Sequence, residues 1–182
     1  MNNPLSFDKN KIFRIITISI VFLSLMLTFQ WYYEKNVVIK ALENTLSENK
    51  YVDNAEITKQ REKIIIYITL KDVDNLMEAY NTIHDTMEYR LKGQPFELKI
   101  TNKSDSVIRD LFDNKVQFII YEALQTGKFT EMKARLDEIQ YAETEKSISG
   151  PLEIRVFIDS DNLYLQIKLD ESSFYKVIKR EA

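Results

Sequence analysis

The residue best suited to catalysis or metal binding in this chain is its single histidine, His84. It stands next to Asp85 and four residues before Glu88, so a helix would bring the second carboxylate within reach of the imidazole. A general base or a metal site needs several partners that converge on one point. One histidine with one glutamate is a poor transition-metal site, and the pattern therefore favours a packing role for His84.

Other catalytic patterns are missing from the sequence. Without cysteine there is no thiolate nucleophile and no zinc–thiolate site. The 3 glycines form neither a phosphate-binding loop nor a nucleophile elbow. A hydrolase with two carboxylates stays open, because any two of the 28 acidic residues can meet in space. We expect a protein that is not an enzyme, with no catalytic residue, no cofactor and no metal.

The oxygen-rich run from Asp159 to Asn162 resembles half of a calcium-binding loop. An EF-hand needs glycine at the sixth position of its loop and a bidentate glutamate at the twelfth. Counted from Asp159, these positions hold Tyr164 and Asp170. We therefore expect a solvated hairpin turn at this run.

Four bulky residues stand on the less apolar faces of predicted strands. Ile65 and Tyr67 lie opposite the main core face of one strand, and Phe157 and Tyr164 do so in a later hairpin. If helices cover one face of each sheet and water the other, these positions should be polar. Single bulky residues are tolerated on a wet face, which is the simpler explanation. The functional alternative makes these four the predicted protein-contact residues of an exposed face or edge.

The element that places these residues in the cell is the apolar run from Ile15 to Tyr33, 19 residues without a charged side chain. A helix needs about 20 apolar residues to cross a hydrocarbon core about 30 Å thick. A cleavable signal peptide would have a shorter apolar region and a small-residue cleavage site, and a soluble core helix would show a polar stripe. The run therefore favours a single transmembrane helix in the lipid bilayer over both alternatives.

The charges around this run predict its direction. Lys9, Lys11 and Arg14 precede it against Asp8, whereas the two charges directly after it cancel. An excess of Lys and Arg marks the cytoplasmic side of a membrane span. We expect a cell-membrane protein with a cytoplasmic N-terminus and an extracytoplasmic C-terminal domain; the inverted orientation stays open because three cations carry the prediction.

Composition limits what the predicted exported part can bind. The whole chain carries a charge of −3 and the N-terminal flank +2, which leaves −5 for the rest. This balance argues against a nucleic-acid partner, because phosphate binding relies on clustered Lys and Arg. The absence of cysteine excludes disulfides, so packing must supply the stability of the domain.

Hydrophobic periodicity predicts an α+β fold. Over residues 37–101 the element order is α-β-β-α-β, with a strong strand at Ile64–Leu70 and a long helix capped by Asp72. The second half predicts helices, a hairpin over residues 152–169 and a short closing helix from Glu171 to Lys179. The predicted segments are a tail (1–14), a transmembrane helix (15–33), a first α-β-β-α-β module (34–103) and a second helix-hairpin-helix module (104–182).

The two predicted modules match weakly at an offset of 99 residues. The strand positions of Ile64–Leu70 fall on Leu163–Leu169, and Asp72 falls on Glu171. Both blocks read as a hairpin followed by a capped helix. Duplication and the coincidence of two amphipathic hairpin-helix units both explain the match.

The element order over residues 37–101 is similar to small ring-building modules of membrane-anchored bacterial secretion and sporulation assemblies. That of residues 96–169 is similar to polypeptide-transport-associated domains. The likeness lies in element order and implies protein–protein assembly. We expect a non-catalytic scaffold domain whose partner is a membrane or envelope protein or a second copy. The alternative is an extracytoplasmic domain that binds or senses a small ligand. Only 14 residues precede the predicted span, too few for a cytoplasmic signalling domain, and this argues against the alternative.

Overall fold

The computed structural model describes residues 9–33, 39–61, 63–146 and 150–180, which fall into two compact units, Met1–Asn44 and Thr45–Ala182. Most of the predicted tail and the start of the predicted first module, at residues 34–38, lie outside the described residues.

Helix α1 (Lys9–Tyr33) is long and apolar. Its stretch Asn10–Gln30 has a mean hydropathy of 2.3, and none of that window is buried within the protein. The hydroxyls of Thr17, Ser24 and Thr28 donate to carbonyls four residues earlier at 2.8–2.9 Å, so their polar groups are satisfied inside the helix. One helix near the N-terminus is thus long and apolar enough to span a membrane, and a signal sequence shares these properties.

The rest of the described chain is a mixed α+β fold, as the periodicity predicts. The α-β-β-α-β order of the first half is confirmed. In chain order the elements are α2 (Lys40–Ser47), β1 (Val52–Gln60), β2 (Lys63–Leu70), α3 (Leu76–Leu91), β3 (Phe96–Ile100), α4 (Ser106–Leu111), a π-helical turn (Phe112–Val116), α5 (Gln117–Thr126), α6 (Phe129–Lys146), β4 (Leu152–Ile158), β5 (Asn162–Leu169) and β6 (Ser172–Lys179).

In the described part of the chain, six strands form two separate sheets of three strands each. In sheet 1 the order is β1-β2-β3, with β2 antiparallel to β1 and parallel to β3. Helix α3 makes the crossover that the parallel pair requires. In sheet 2 the order is β4-β5-β6, and both pairs are antiparallel.

The predicted helix from Glu171 to Lys179 is wrong, because this segment is strand β6. A turn with Asp170 at φ 54° returns the chain along β5. Phe174 and Ile178 join the core of sheet 2, whereas Tyr175 is buried on the opposite face. Pairing with β5 and burial on two faces override the helical spacing of the apolar residues. The match of the two halves as hairpin-plus-helix units is therefore wrong as well.

Helix α3 begins later than the sequence pattern indicates. Asn75, and not Asp72, caps it by accepting a hydrogen bond from the backbone N–H of Glu78 at 3.1 Å. Asp72 forms an ion pair with Lys168 of sheet 2. The residues before Asn75 are held against sheet 2 in a non-helical conformation, which moves the start of the helix.

Helix α3 contacts both sheets. On one side the His84 ring lies 5.0 Å from the ring of Phe96 in β3, measured between centroids. On another side the Tyr80 ring lies 5.7 Å from that of Tyr164 in β5. The opposite face of sheet 2 packs against the helices after β3, in a core formed by Ile108, Leu111, Phe112, Val116, Ile119, Ile120, Ala123, Met132, Leu136, Leu152, Ile154, Leu163, Leu165, Ile167, Leu169, Phe174 and Ile178.

Three side chains of sheet 2 hold the segment between β2 and α3. Arg155, Gln166 and Tyr175 are neighbours across the sheet, and we call them the docking row. Arg155 Nη1 donates to the carbonyl of Asp74 at 2.8 Å, and Gln166 Nε2 donates to the carbonyl of Val73 at 2.7 Å. The backbone N–H of Val73 points to the Tyr175 hydroxyl at 3.5 Å. Sheet 2 is therefore tied to the first half of the fold through backbone groups.

The amide of Asn102 completes the edge of sheet 2. Its Oδ1 accepts from the backbone N–H of Tyr175 at 2.7 Å, and its Nδ2 donates to the carbonyl of Tyr175 at 3.0 Å. Edge strands carry backbone groups that need partners outside the sheet. Asn102 supplies both partners for Tyr175, as a neighbouring strand would.

We predict that Asn102→Ala lowers the free energy of unfolding by about 1–3 kcal/mol, because it leaves two partly buried backbone groups without partners. The control Asn114→Ala removes an amide that donates only to the exposed Asp110 carboxylate, and should change stability by about 0.5 kcal/mol or less. Urea unfolding of the full-length protein in detergent, followed by circular dichroism, measures both. Equal losses in the two variants would contradict the role of Asn102.

Candidate functional site

A cleft of about 780 Å³ opens where helix α3, strand β3 and the β4–β5 turn meet. We call it the seam cleft. Tyr80, Asn81 and His84 reach it from α3, Phe96 from β3 and Tyr164 from β5. The cleft therefore exists because α3 contacts both sheets, and neither sheet alone would form it.

Aromatic rings form a row along the seam cleft. The ring centroids are 5.0 Å apart from Phe96 to His84, 6.1 Å from His84 to Tyr80 and 5.7 Å from Tyr80 to Tyr164. Tyr80 and His84 are adjacent because they are four residues apart on one helix. The first three rings are half-buried, whereas Tyr164 is fully buried behind Tyr80.

The Tyr164 hydroxyl is the centre of a hydrogen-bond network. It donates to Asp159 Oδ2 at 2.7 Å and accepts from Asn162 Nδ2 at 3.3 Å, and Asn81 Oδ1 lies 2.9 Å away. The backbone N–H groups of Asp161 and Asn162 donate to Asp159 Oδ1 at 2.8 and 2.7 Å. The run from Asp159 to Asn162 is thus the β4–β5 hairpin turn that the sequence predicts, and its first carboxylate is bound within the chain.

This network changes the ionisation of its members. Desolvation opposes the charged form of Asp159, but hydrogen bonds from Tyr164 and from two backbone N–H groups outweigh it and lower the pKa of the carboxyl. Burial and the hydrogen bond to Asp159 raise the pKa of Tyr164 to about 12. Burial, with the charge of Glu97, also raises the pKa of Tyr80. The cleft therefore presents an ionised carboxylate beside neutral phenols.

Acidic side chains outnumber basic ones around the seam cleft. Five carboxylates line it against two lysines: Asp85, Glu88, Glu97, Asp159 and Asp161 against Lys63 and Lys179. Lys63 Nζ is already paired with Glu97 Oε2 at 2.8 Å, and this hydrogen bond lowers the pKa of Glu97. The cleft therefore has an excess of negative charge at neutral pH.

His84 lies in the cleft between the rings of Tyr80 and Phe96. Its Nδ1 is 3.8 Å from Asp85 Oδ1 and 3.9 Å from Glu88 Oε2, and the imidazole is 40% exposed. The ligand atoms of these three residues lie within 4.8 Å of one another. All three come from one turn of α3, which offers a metal one open side and few ligands.

The four predicted contact residues lie in different environments. Tyr67 and Phe157 are half-buried, and the Lys99 ammonium lies 5.9 Å above the ring of Tyr67. Ile65 is 6% exposed and Tyr164 is 0% exposed, so the expectation that these two face outward is wrong. Ile65 is in the central strand of sheet 1, and Tyr164 is covered by α3. The excess of apolar residues in β5 therefore reflects a contact within the chain.

Sequence reasoning missed two aromatic residues on the outer side of α5. Phe118 is 64% exposed and Tyr121 is 46% exposed, whereas Ile119, Ile120 and Ala123 of the same helix are buried. We call Phe118 and Tyr121 the α5 aromatic pair. Their spacing of three residues, which would place both rings on one side of a helix, is the signal that could have found them.

Comparisons of the chain with protein-family models, with curated proteins and with solved structures find no match.

We predict that the hydroxyl of Tyr164 contributes to the alkaline loss of stability. Its pKa is 10.0 as a free side chain and about 12 in the fold, so the neutral hydroxyl favours the folded state. This stabilisation is complete below about pH 10 and is lost as the pH rises towards about 12. Tyr164→Phe should show a smaller decrease in the free energy of unfolding over this range.

The control for this prediction is Tyr89→Phe, at a tyrosine that is 81% exposed. Urea unfolding of the full-length protein at several pH values between about 8 and 11.5 measures all three proteins, and covers most of the range over which this stabilisation is lost. If the wild type and Tyr164→Phe lose stability in parallel as the pH rises, the hydrogen-bond network does not raise the pKa of the Tyr164 hydroxyl, and the prediction is wrong.

Proposed function

We propose that this protein is a non-catalytic, single-pass membrane protein whose extracytoplasmic α+β domain binds a membrane or envelope protein or a second copy of itself. Helix α1 anchors it, with the N-terminus in the cytoplasm. Confinement to the membrane raises the effective concentration of the domain for a neighbouring membrane protein. Scaffolding of an assembly is the role that this arrangement serves.

The anchor is supported by the length and composition of α1. Its apolar window is unburied and carries no more than two charged residues, and its three bonded hydroxyls expose no unsatisfied donor to lipid. Lys9, Lys11 and Arg14 precede the uncharged run, which supports the cytoplasmic N-terminus. A retained anchor of this kind suits a domain that acts at the membrane.

The observation that carries the interaction role is the α5 aromatic pair. Phe118 and Tyr121 present large rings on one side of a helix whose other side is buried in the core. Aromatic residues are enriched in protein interfaces, because their burial yields a large apolar contact at low entropic cost. The half-buried Tyr67, in the central strand of sheet 1, is a second contact candidate.

Photocrosslinking in cells tests the interaction role. A photoreactive phenylalanine analogue replaces Phe118 in the full-length protein, and mass spectrometry identifies the products. We expect crosslinks to the protein itself or to one membrane or envelope protein. Tyr89 is the matched control, because it is an aromatic residue of greater exposure on a different helix. Silence at position 118, or the same products at both positions, would contradict a specific interface at the α5 aromatic pair.

Single-cysteine labelling tests the topology, because the natural chain has no cysteine to interfere. We predict that Tyr89→Cys reacts with a membrane-impermeant maleimide in intact cells, whereas Asn2→Cys reacts only after lysis. Each variant should remain a membrane-bound chain of full mass. Cleavage after the apolar run, or the reverse labelling pattern, would contradict the anchor or its orientation.

A second candidate function is the binding of a small ligand in the seam cleft. The observation that favours it is a cleft of about 780 Å³ with half-buried rings and several carboxylates. Ligand sites are commonly concave and combine aromatic walls with a few polar groups. This function is compatible with the scaffold role, since the α5 aromatic pair does not line the cleft.

A further inference from the structure

We infer that the seam cleft binds an organic cation, an ammonium or guanidinium group carried on an apolar stem. The inference rests on the second candidate function and names the chemistry of its ligand. It does not depend on the α5 aromatic pair, so the two proposals can fail separately.

The charge of the cleft selects the sign of the ligand. Asp85 and Glu88 are exposed carboxylates of α3, and Asp159 and Asp161 line the cleft from the β4–β5 turn. Of the two lysines in the lining, one is already paired with Glu97. An anion would meet mainly like charges here, whereas a cation gains from several carboxylates that line one cleft.

The rings select the shape of the ligand. Tyr80, His84 and Phe96 are half-buried and line the same cleft as the carboxylates. The ring centroids are 6.1 Å apart from Tyr80 to His84 and 5.0 Å apart from His84 to Phe96. Aromatic faces attract ammonium and guanidinium groups and also cover the methylene groups that carry them. A bare metal ion would use the carboxylates but not the rings. The combination therefore suits a cation with an apolar stem.

Tyr164 has a positioning role in this site. It is fully buried behind Tyr80, and its hydroxyl binds Asp159 and lies beside Asn81. The Tyr80 ring and the Asp159 carboxylate are therefore fixed before a ligand arrives. A pre-organised wall lowers the entropy cost of binding.

The same chemistry has two sources, a free amine and a basic side chain of a partner protein. Agmatine serves as the probe for a free guanidinium on a short methylene stem. The peptide acetyl-Gly-Arg-Gly-amide serves as the probe for an arginine side chain, and acetyl-Gly-citrulline-Gly-amide is its neutral counterpart. Tighter binding of agmatine indicates a small-molecule ligand, and tighter binding of the arginine peptide indicates a protein ligand.

Isothermal titration of the full-length protein in nanodiscs, with EDTA present, measures the binding. The wild type should bind agmatine or the arginine peptide and should not bind the citrulline peptide. Tyr80→Leu should weaken binding about three- to tenfold by removing one ring. The double variant Asp85→Asn with Glu88→Gln should weaken it about tenfold or more by removing two charges. Asp137→Asn on α6, outside the cleft, should bind as the wild type does.

Three results would overturn the inference. The first is no binding of either cationic probe at millimolar concentration to wild-type protein that is folded by circular dichroism. The second is equal binding of the arginine and citrulline peptides. The third is binding that neither cleft variant reduces. A crosslink at Phe118 would still support the scaffold role in each case, so failure of the cation site and failure of the scaffold role are distinguishable.

Discussion

The fold depends on the hydrogen bonds by which sheet 2 holds the backbone between β2 and α3. Gln166 donates to the carbonyl of Val73, and Arg155 donates to the carbonyl of the next residue, Asp74. The Tyr175 hydroxyl faces the backbone N–H group of Val73. Each such bond contributes about 0.5–1.5 kcal/mol, but a buried group left unpaired costs about 1–3 kcal/mol. The docking row therefore fixes the position of α3 chiefly because any other position would leave these buried polar groups without hydrogen-bond partners. Gln166 Oε1 has no hydrogen-bond partner in the described part of the chain, which is part of the cost of this arrangement.

The docking row decides which surfaces are left for partners. Because α3 covers one face of sheet 2 and helices cover the other, β5 is buried on both faces and presents no side to another molecule. Exposed surfaces elsewhere include the outer side of α5 and the seam cleft. The proposed scaffold role uses the first of these surfaces, and the proposed ligand site is the second. The seam cleft follows from the position of one helix between two sheets.

Local periodicity was sufficient to predict most elements, but not their packing. The alternation of Ile64–Leu70 predicts β2 well, because a buried strand face repeats every second residue. The spacing of Phe174 and Ile178 predicts a helix face, but a spacing of four residues also fits one face of a strand, and the segment is a strand. The alternation of β5 predicts an outward-facing Tyr164, because the helix that covers this residue is about 80 residues away in the chain. The seam cleft depends on the same distant contact, so the sequence pattern around His84 did not indicate it.

The claim that both sheets belong to one cooperative body is tested most directly by hydrogen exchange. Mass spectrometry would compare the amides of β2 and β5 in the full-length wild type and in Gln166→Ala. The substitution leaves the carbonyl of Val73 without its partner, so we predict that protection of both strands falls by a similar factor of about tenfold or more. A loss of protection confined to β5, with β2 unchanged, would show that the sheets unfold independently and would contradict the account.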